Sequence, residues 1–391
     1  MPNLDEKEFS KWAVIACDQF TSQPEYWIKA KNFAGTSPSA LNLILPEAML
    51  DESDDKKISE INSAMNEYLE KNLFTEYKNS YVYVERKLLD GSTRRGVVGV
   101  IDLEEYDFKS GSCSKIRATE ETVSERIPPR KKIREKAPLE LSHVILLCDD
   151  DKRDIIEPLT LLKDRMKKIY DFDLMLGGGN IKGWLVSGGE AENLSERVRK
   201  YIERKSKELS VVFAIGDGNH SLAAAKTCYE AGMTSRYAMV ELENIYDDAL
   251  KFEPIHRLVK NINVEDFLKE IQNEICVKDF SPENSWSLNF YSRNKNGVLN
   301  IDKSKGASAL IVLQKYLDEK NFEIDYIHDT EALKNLSETE NSLGIELPPF
   351  DESAKRDFFK IISASGVMPR KTFSMGHAQE KRYYLEARRI K

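Results

Sequence analysis

The sequence predicts a mixed α+β protein with more than one domain. The chain has 391 residues, which is more than one hydrophobic core usually serves. Residues 81–103 alternate apolar and polar side chains on both sides of Asp90 and Gly91, as in a β-hairpin. Residues 211–230 pass from an apolar run through Gly-Asp-Gly into an Ala-rich helix. We expect an α+β region over residues 1–250 and a separate α/β domain over residues 251–391.

Short apolar runs predict the strands of the N-terminal region, and apolar side chains three or four residues apart predict its helices. Pro24 favours a helix start because the first helical residue needs no amide hydrogen bond, and Thr21 or Ser22 could cap that helix. In chain order the predicted elements are a strand at 12–17, a helix from Pro24, a strand at 41–47, a helix at 58–73, the hairpin, an irregular basic segment at 109–138, a strand at 142–148, helices at 154–170 and 190–209, a strand at 211–215 and a helix at 222–230.

The same patterns predict that helices and strands alternate toward the C-terminus. These elements are strands at 237–242, 287–292 and 309–313, and helices at 264–274 and 355–364. The longest apolar runs of the chain, residues 142–148 and 309–313, are far shorter than the roughly 20 residues that a membrane helix needs. We therefore expect no membrane segment.

Composition and charge argue against several classes of function. The net charge of -8 does not favour nonspecific binding to nucleic acid, which relies on Lys and Arg contacts to many phosphates. Basic residues concentrate at 126–136, and such a run is typical of a solvated surface. The N-terminal residues 1–12 are acidic and polar, unlike a signal peptide, which predicts a cytoplasmic protein. The five cysteines are odd in number and lack a CxxC pair, so they predict reduced thiols.

The turn at residues 216–221 (GDGNHS) is typical of an anion pocket. Gly216 and Gly218 allow a positive φ or a close backbone approach between the predicted strand and helix. Amides at a helix start carry partial positive charge, and the side chains of residues 219–221 add possible donors to a phosphate or carboxylate. An alternative interpretation needs no ligand. In it, Asn219 or Ser221 caps the helix, Asp217 is a turn residue and His220 is a hydrogen-bonded structural imidazole.

Three other segments carry side chains that suit phosphate or metal chemistry: residues 116–130, 253–257 and 368–382. Their candidate residues are Arg117, Glu120, His256, Arg257 and Lys371. Carboxylates serve as general bases or Mg²⁺ ligands, and guanidinium groups neutralise phosphate. The alternatives are ordinary ion pairs, a buried hydrogen-bonded histidine and a basic surface. No GxxxxGK[ST], HExxH, GxSxG or GxGxxG motif is present, which argues against the mechanisms that those motifs serve.

Five ordered blocks resemble the bacterial and archaeal family catalogued as domain of unknown function 1015. The blocks are CDQFTSQPEYW (17–27), IRATEETVSERIPPR (116–130), FAIGDGNHSLAAAK (213–226), FEPIHR (252–257) and MPRKTFSMGHAQEKRYYLE (368–386). The usual turn of that family is Asp-Gly-His-His-Arg, which is similar to the phosphate loop of the ParB and sulfiredoxin superfamily. Here Asn219 stands in place of the first His and Ser221 in place of the Arg, with Lys226 one helical turn further on.

The resemblance implies a ParB/sulfiredoxin-like core and a phosphate-bearing small molecule as the partner, without nucleic acid or membrane. The first hypothesis is phosphoryl transfer to a small polar metabolite, with serine or phosphoserine tested first and with Mg²⁺ and a nucleotide (ATP or ADP) as cofactors. Two alternatives are a ligand-sensing module without turnover and a phosphoester hydrolase. The catalytic candidates are His220, Asp217, Glu120 and His256, and Asp217 and Glu120 are the metal candidates. The phosphate-binding candidates are Gly216, Gly218, Asn219, Ser221, Arg117, Arg257 and Lys371.

Overall fold

A computed structural model describes the chain except for residues 16–19, 21–22, 47–48, 50–54, 110, 142, 370 and 377. Its α-helices are α1 (Glu6–Trp12), α2 (Pro24–Ala34), α3 (Asp55–Glu70), α4 (Ile127–Arg134), α5 (Glu157–Leu162), α6 (Gly189–Glu208), α7 (Asn219–Glu230), α8 (Val264–Ile275), α9 (Ala309–Glu319), α10 (Thr330–Ser337) and α11 (Glu352–Ser365). Its strands are β1 (Val14–Ile15), β2 (Tyr81–Lys87), β3 (Thr93–Asp102), β4 (Tyr106–Asp107), β5 (Ile116–Ala118), β6 (Leu139–Leu141), β7 (Ile145–Cys148), β8 (Lys167–Asp173), β9 (Asn180–Val186), β10 (Phe213–Asp217), β11 (Tyr237–Asn244), β12 (Phe252–Pro254), β13 (His256–Lys260), β14 (Ser285–Tyr291), β15 (Gly297–Asp302), β16 (Glu323–Ile327), β17 (Leu343–Ile345), β18 (Phe373–Met375), β19 (Tyr383–Tyr384) and β20 (Ala387–Arg389).

The chain folds into two units, and the predicted α+β class is confirmed. Unit 1 contains Met1–Lys251 together with Gly376–Lys391, and unit 2 contains Phe252–Met375. The C-terminal segment thus returns to the unit in which the chain begins. Unit 2 is therefore an insertion between two parts of unit 1.

The main sheet of unit 1 has the strand order β4-β5-β10-β7-β11-β3-β2-β9-β8. Its central strands are buried on both faces. On one face, Val97 and Ile215 pack with Leu194 of α6, and on the other, Val84 and Val98 pack with α1 and α3. Three of the pairings are parallel, β4 with β5, β10 with β5, and β11 with β7, whereas β10 and β7 are antiparallel. This arrangement brings the ends of β5 and β10 and the start of β7 to one edge of the sheet.

Unit 2 has a five-stranded antiparallel sheet of its own. Its strand order is β15-β14-β17-β13-β16. Helices α8 and α9 supply Ile271 and Leu313 to the core of this unit, where they meet Leu299 and Ile345 of the sheet.

The apolar run at 309–313, predicted as a strand, is the first part of helix α9. Ser308 caps this helix by accepting a hydrogen bond from the amide of Ile311. Buried Leu310, Leu313 and Leu317 follow the spacing of one helical face. Five apolar residues fit a buried helix as well as a strand, and the run alone does not separate the two.

Other predicted elements are shorter or of another type. The helix predicted over 154–170 is the short helix α5 followed by strand β8, whose residues pair with β9. The strand predicted at 41–47 contains a 3-10 turn over Ala40–Leu43, because the side chain of Ser39 accepts a hydrogen bond from Leu41 N. The segment 109–138 is not wholly irregular, since it holds β5 and α4.

Near the N-terminus, only part of the predicted strand at 12–17 is extended. Trp12 ends α1, and β1 comprises Val14 and Ile15. Residues 16 and 17, like the predicted caps Thr21 and Ser22, lie outside the described residues. Helix α2 begins at Pro24 as predicted.

Candidate functional site

The glycine turn joins the end of β10 directly to the start of α7. Gly218 has φ 87° and ψ 20°, the left-handed conformation that favours glycine. A Cβ atom at this position would lie 2.9 Å from Val144 Cγ2 and 3.1 Å from Val144 Cα. Both the backbone angle and the approach of Val144, directly before β7, therefore require glycine. Asp217 Oδ1 accepts a hydrogen bond of 2.8 Å from the Gly218 amide, which closes the turn.

Helix α7 begins without a side-chain cap. Its N-cap residue is Gly218, and no side chain accepts a capping hydrogen bond. The alternative in which Asn219 or Ser221 caps the helix is therefore wrong. The first amides of a helix carry partial positive charge, and here that charge stands beside the turn. The Asn219 Oδ1 atom is buried without a hydrogen-bond partner among the described residues.

The first and second candidate segments meet at this edge of the sheet. Because β5 and β10 run parallel, with Ala118 paired to Ile215, the residues that follow each strand lie side by side. Thr119 Oγ1 donates a hydrogen bond of 2.8 Å to the carbonyl oxygen of Ile215. Glu120 and Asp217 each follow the last pair of this ladder by two residues. Two carboxylates thus stand at the edge where α7 begins.

His220 ties the segment after β5 to the turn. Its Nε2 atom accepts a hydrogen bond of 3.2 Å from the amide of Val123. An amide can only donate, so Nε2 is unprotonated and the neutral ring carries its hydrogen on Nδ1. This contact matches the hydrogen-bonded imidazole of the interpretation without a ligand. His220 belongs to the turn itself and stays a catalytic candidate.

His143 is a residue of this edge that the sequence analysis missed. It precedes β7, and because β7 is antiparallel to β10, the start of β7 lies beside the end of β10. His143 Nε2 lies 2.8 Å from Ser221 Oγ, and the imidazole stacks on the ring of Tyr384 with centroids 4.6 Å apart. A histidine directly before an apolar strand was the only local signal, since the sequence does not state which strands pair.

Burial and nearby positive charge keep His143 neutral. Burial lowers the pKa of His143 to about 4, and the guanidinium groups of Arg130 and Arg134 act in the same direction, against the carboxylate of Glu140. Both arginines belong to α4, which packs against α7 through Ile127, Ala223 and Ala224. Part of the basic run at 126–136 therefore stands close to the candidate site.

Two basic side chains of the blocks around the turn, those of Arg117 and Lys226, make other contacts. Arg117 is buried in β5, and its Nε donates a hydrogen bond of 2.8 Å to Ser114 O, which precedes that strand. Burial also lowers the pKa of Arg117. Lys226 Nζ donates to the carbonyl of Leu103 at 2.8 Å and lies 3.5 Å from a carboxylate oxygen of Glu230. These contacts occupy the ammonium group of Lys226.

The remaining candidates belong to unit 2. His256 is buried, with Nδ1 accepting from Leu347 N at 3.1 Å and Nε2 lying 3.0 Å from Thr330 Oγ1, and burial lowers its pKa. Arg257 is fully buried and donates to Gln314 Oε1 at 2.6 Å and to Lys371 O at 3.0 Å. The contacts of His256 match the buried histidine of the alternative interpretation. Arg370 and His377 lie outside the described residues.

Three further properties of the described residues bear on the sequence predictions. No group of three or more His, Cys, Asp or Glu side chains among them is arranged to hold a metal ion. None of their helices is both long enough and apolar enough to cross a membrane. The cysteines at 113, 148, 228 and 276 are free thiols, and Cys17 lies outside this part of the chain.

Comparisons with known proteins place the chain in a family. No curated protein matches it. Among solved structures, SbnI with a C-terminal truncation from Staphylococcus aureus is 8% identical and has a TM-score of 0.38, with 71% of this chain and 81% of that chain covered. A free serine kinase in complex with AMP is 12% identical with a TM-score of 0.36, covering 75% and 91%. A conserved hypothetical protein from Pyrococcus furiosus is 12% identical with a TM-score of 0.34, covering 75% and 95%. The family model described as a protein of unknown function (DUF1015) matches residues 3–336, and the chain belongs to that family.

Proposed function

We propose that this protein binds a phosphate-bearing small molecule at the edge where β10 meets α7 and transfers its phosphoryl group. We call this edge the turn site and define it as residues 216–221 together with Glu120 and His143. The observation that supports the proposal most is the start of α7. It has no side-chain cap, it follows a turn that requires Gly218, and it lies beside the carboxylates of Glu120 and Asp217.

The physical demands of phosphoryl transfer fit these groups. The reaction needs positioning and stabilisation of negative charge more than covalent help from side chains. Helix-start amides supply partial positive charge, and the basic helix α4 raises the local potential through Arg130 and Arg134. Although the net charge of the chain is -8, this local positive charge attracts an anionic ligand to the turn site.

A nucleotide with Mg²⁺ is the ligand that we propose first. Mg²⁺ commonly binds to one or two protein carboxylates and completes its shell with phosphate oxygens and water. Glu120 and Asp217 meet that requirement without a larger protein cage. The metal would neutralise phosphate charge, and the side chains of this chain would orient the ligand against α7. The family resemblance makes free serine, as the phosphoryl acceptor, or phosphoserine, as the donor, the first substrate to test.

A matched pair of substitutions tests the proposal. Glu121 follows Glu120 but is exposed, so Glu121→Gln removes the same charge outside the turn site. Calorimetry with AMP, ADP and ATP, with and without Mg²⁺, measures binding, and mass spectrometry of mixtures with serine or phosphoserine measures products. We expect Glu120→Gln to lower Mg²⁺-dependent turnover about 100-fold and Glu121→Gln to leave it unchanged.

The outcomes separate the three functions. Nucleotide binding without any product would favour a ligand-sensing module. Release of phosphate without nucleotide consumption would favour a phosphoester hydrolase. Absence of binding by every nucleotide and phosphomonoester, or equal turnover in the two variants, would contradict the proposed role of the turn site.

A further inference from the structure

Ser221 and His143 have the arrangement of a nucleophile and its base. Ser221 Oγ lies 2.8 Å from His143 Nε2. The other ring nitrogen, Nδ1, lies 3.5 Å from the carbonyl oxygen of Leu141. A carbonyl only accepts, so in this contact Nδ1 carries the hydrogen and Nε2 is left as the acceptor. The Ser221 hydroxyl therefore donates a hydrogen bond to His143. The lone pairs of the Ser221 oxygen stay available to attack a phosphorus atom.

The imidazole is fixed by groups that do not depend on a ligand. Tyr384 stacks on it at an interplanar angle of 28°. Tyr384 belongs to β19, which pairs with β1 through Val14, and its neighbour Tyr383 is buried. The base thus has a fixed orientation, as a base needs when it must meet one hydroxyl group.

Ser221 is also placed where a phosphoryl group would be stabilised. It is the third residue of α7, within the first turn, whose amides carry partial positive charge. Its side chain does not cap that helix, so capping does not explain a serine at this position. A phosphoryl group on Ser221 Oγ would stand at the helix start, and negative charge is favoured there.

From this geometry we infer that Ser221 is the nucleophile of the turn site and carries the phosphoryl group as a covalent phosphoserine between two half-reactions. The inference rests on the proposed function and goes beyond it, since direct transfer between two bound substrates would need no such intermediate. The donor is a nucleoside polyphosphate or a phosphomonoester.

The two half-reactions balance. In the first, Ser221 Oγ attacks the phosphorus, an Oγ–P bond forms, the bond between phosphorus and the leaving oxygen breaks, and the hydroxyl proton passes to His143 Nε2. The leaving group departs with the electron pair of the broken bond. The proton on His143 then passes to the leaving group or to water. In the second, His143 accepts a proton from water or an acceptor hydroxyl whose oxygen attacks phosphorus, the Oγ–P bond breaks, and His143 returns a proton to Ser221.

The charged groups around His143 are Arg130 and Arg134 on α4 and Glu140 of β6. Their combined effect with burial is a ring that stays neutral above about pH 4. The rate of serine phosphorylation is thus expected to show no loss from this group between roughly pH 5.5 and 8, because an imidazole with a lowered pKa is neutral over that range.

Chemical trapping tests the inference. The full-length protein is mixed with Mg²⁺ and ATP, or with p-nitrophenyl phosphate, quenched in acid and examined by intact-mass and peptide mass spectrometry. We expect one added phosphoryl group on Ser221 in the wild type and none there in Ser221→Ala. Phosphorylation should return in part in Ser221→Thr and be at least about 100-fold slower in His143→Gln. Ser124→Ala, at an exposed serine after β5, serves as the control that keeps the phosphoryl group.

Failure of the covalent step and failure of the proposed function give different results. If Ser221→Ala binds nucleotide and turns over like the wild type, the covalent step is overturned and the proposed function stands. If the wild type binds neither probe, both fall. Phosphate on another residue, or no adduct during turnover, also overturns the inference. Circular dichroism checks that each variant is folded, and if His143→Gln is not, the two Ser221 variants decide.

Discussion

At the scale of single residues, three histidines are neutral rings in which one nitrogen accepts a hydrogen bond. His220 accepts from the Val123 amide and His256 from the Leu347 amide, while His143 faces the hydroxyl of Ser221. A ring that accepts a hydrogen bond is neutral, because an imidazolium has no acceptor nitrogen. Positive charge at the turn site therefore comes from main-chain amides and from α4, and not from His220 or His143.

The low pKa of His143 predicts a loss of stability in mild acid. In the unfolded chain this ring takes up a proton near its ordinary pKa of 6.5, whereas in the folded protein it does so near 4. Between these values the unfolded state binds more protons, so the free energy of unfolding falls as pH falls, by at most about 3 kcal/mol from this group. We expect His143→Gln to lack this part of the decline in urea titrations between pH 6.5 and 4.

The control for this experiment is His328→Gln, because His328 is exposed. The His328→Gln protein should follow the pH profile of the wild type. Parallel profiles for all three proteins would contradict the prediction, because they would show that folding does not lower the pKa of His143.

Gly218 predicts a second measurable effect at the residue scale. Gly218→Ala places a side chain at φ 87° and within 2.9 Å of Val144 Cγ2, so strain and overpacking add. Gly232→Ala also meets a positive φ, 68°, but its Cβ finds no atom within 4 Å. We expect a loss of about 1 kcal/mol for Gly232→Ala and about 2 to 4 kcal/mol for Gly218→Ala in denaturant unfolding. Equal losses would mean that β7 does not hold the turn.

At the scale of elements, the alanines of α7 are explained by the approach of α4. Ala223 and Ala224 are almost fully buried and pack against Ile127, so larger side chains have no space there. Ala224→Leu is expected to lower the free energy of unfolding by about 1 to 3 kcal/mol. It should also move α4, with Arg130 and Arg134, away from the turn site and weaken nucleotide binding in calorimetry.

Ala231→Leu provides the comparison, because Ala231 is exposed at the end of the same helix. Stability and nucleotide affinity should both stay close to the wild type in Ala231→Leu. A destabilised Ala224→Leu protein with unchanged affinity would show that the position of α4 does not matter for the ligand.

Local patterns predicted the elements that depend on local signals, and long-range pairing explains the rest. The hairpin around Gly91 and the strand, glycine turn and helix around Gly218 follow from alternation and backbone freedom. The strand predicted at 309–313 was wrong because a short apolar run fits both a helix and a strand. His143 was missed for another reason, since its place beside Ser221 depends on the pairing of β7 with β10.

At the scale of the whole molecule, the C-terminal segment completes unit 1. Arg86 is buried and donates to the carbonyl oxygens of Gly178 at 2.9 Å and Lys381 at 2.6 Å. Arg382 is buried and forms ion pairs with Glu241 of β11 and with Glu386. Removing this segment would leave buried charges without partners, which is costlier than losing a surface contact. The segment also carries Tyr384, which holds His143.

We therefore expect unit 1 to fold without unit 2, but not without the C-terminal segment. Lys251 and Gly376, on either side of the insertion, are joined by a hydrogen bond of 3.1 Å from the Gly376 amide to the Lys251 carbonyl. A short Gly/Ser linker in place of Phe252–Met375 spans this distance without strain. The shortened protein should unfold cooperatively and keep its affinity for nucleotide, because the turn site lies within unit 1. A chain ending at Lys251 is the control, and it should fail to fold because it lacks the C-terminal segment. Cooperative unfolding with lost affinity would contradict the assignment of the ligand contacts to unit 1.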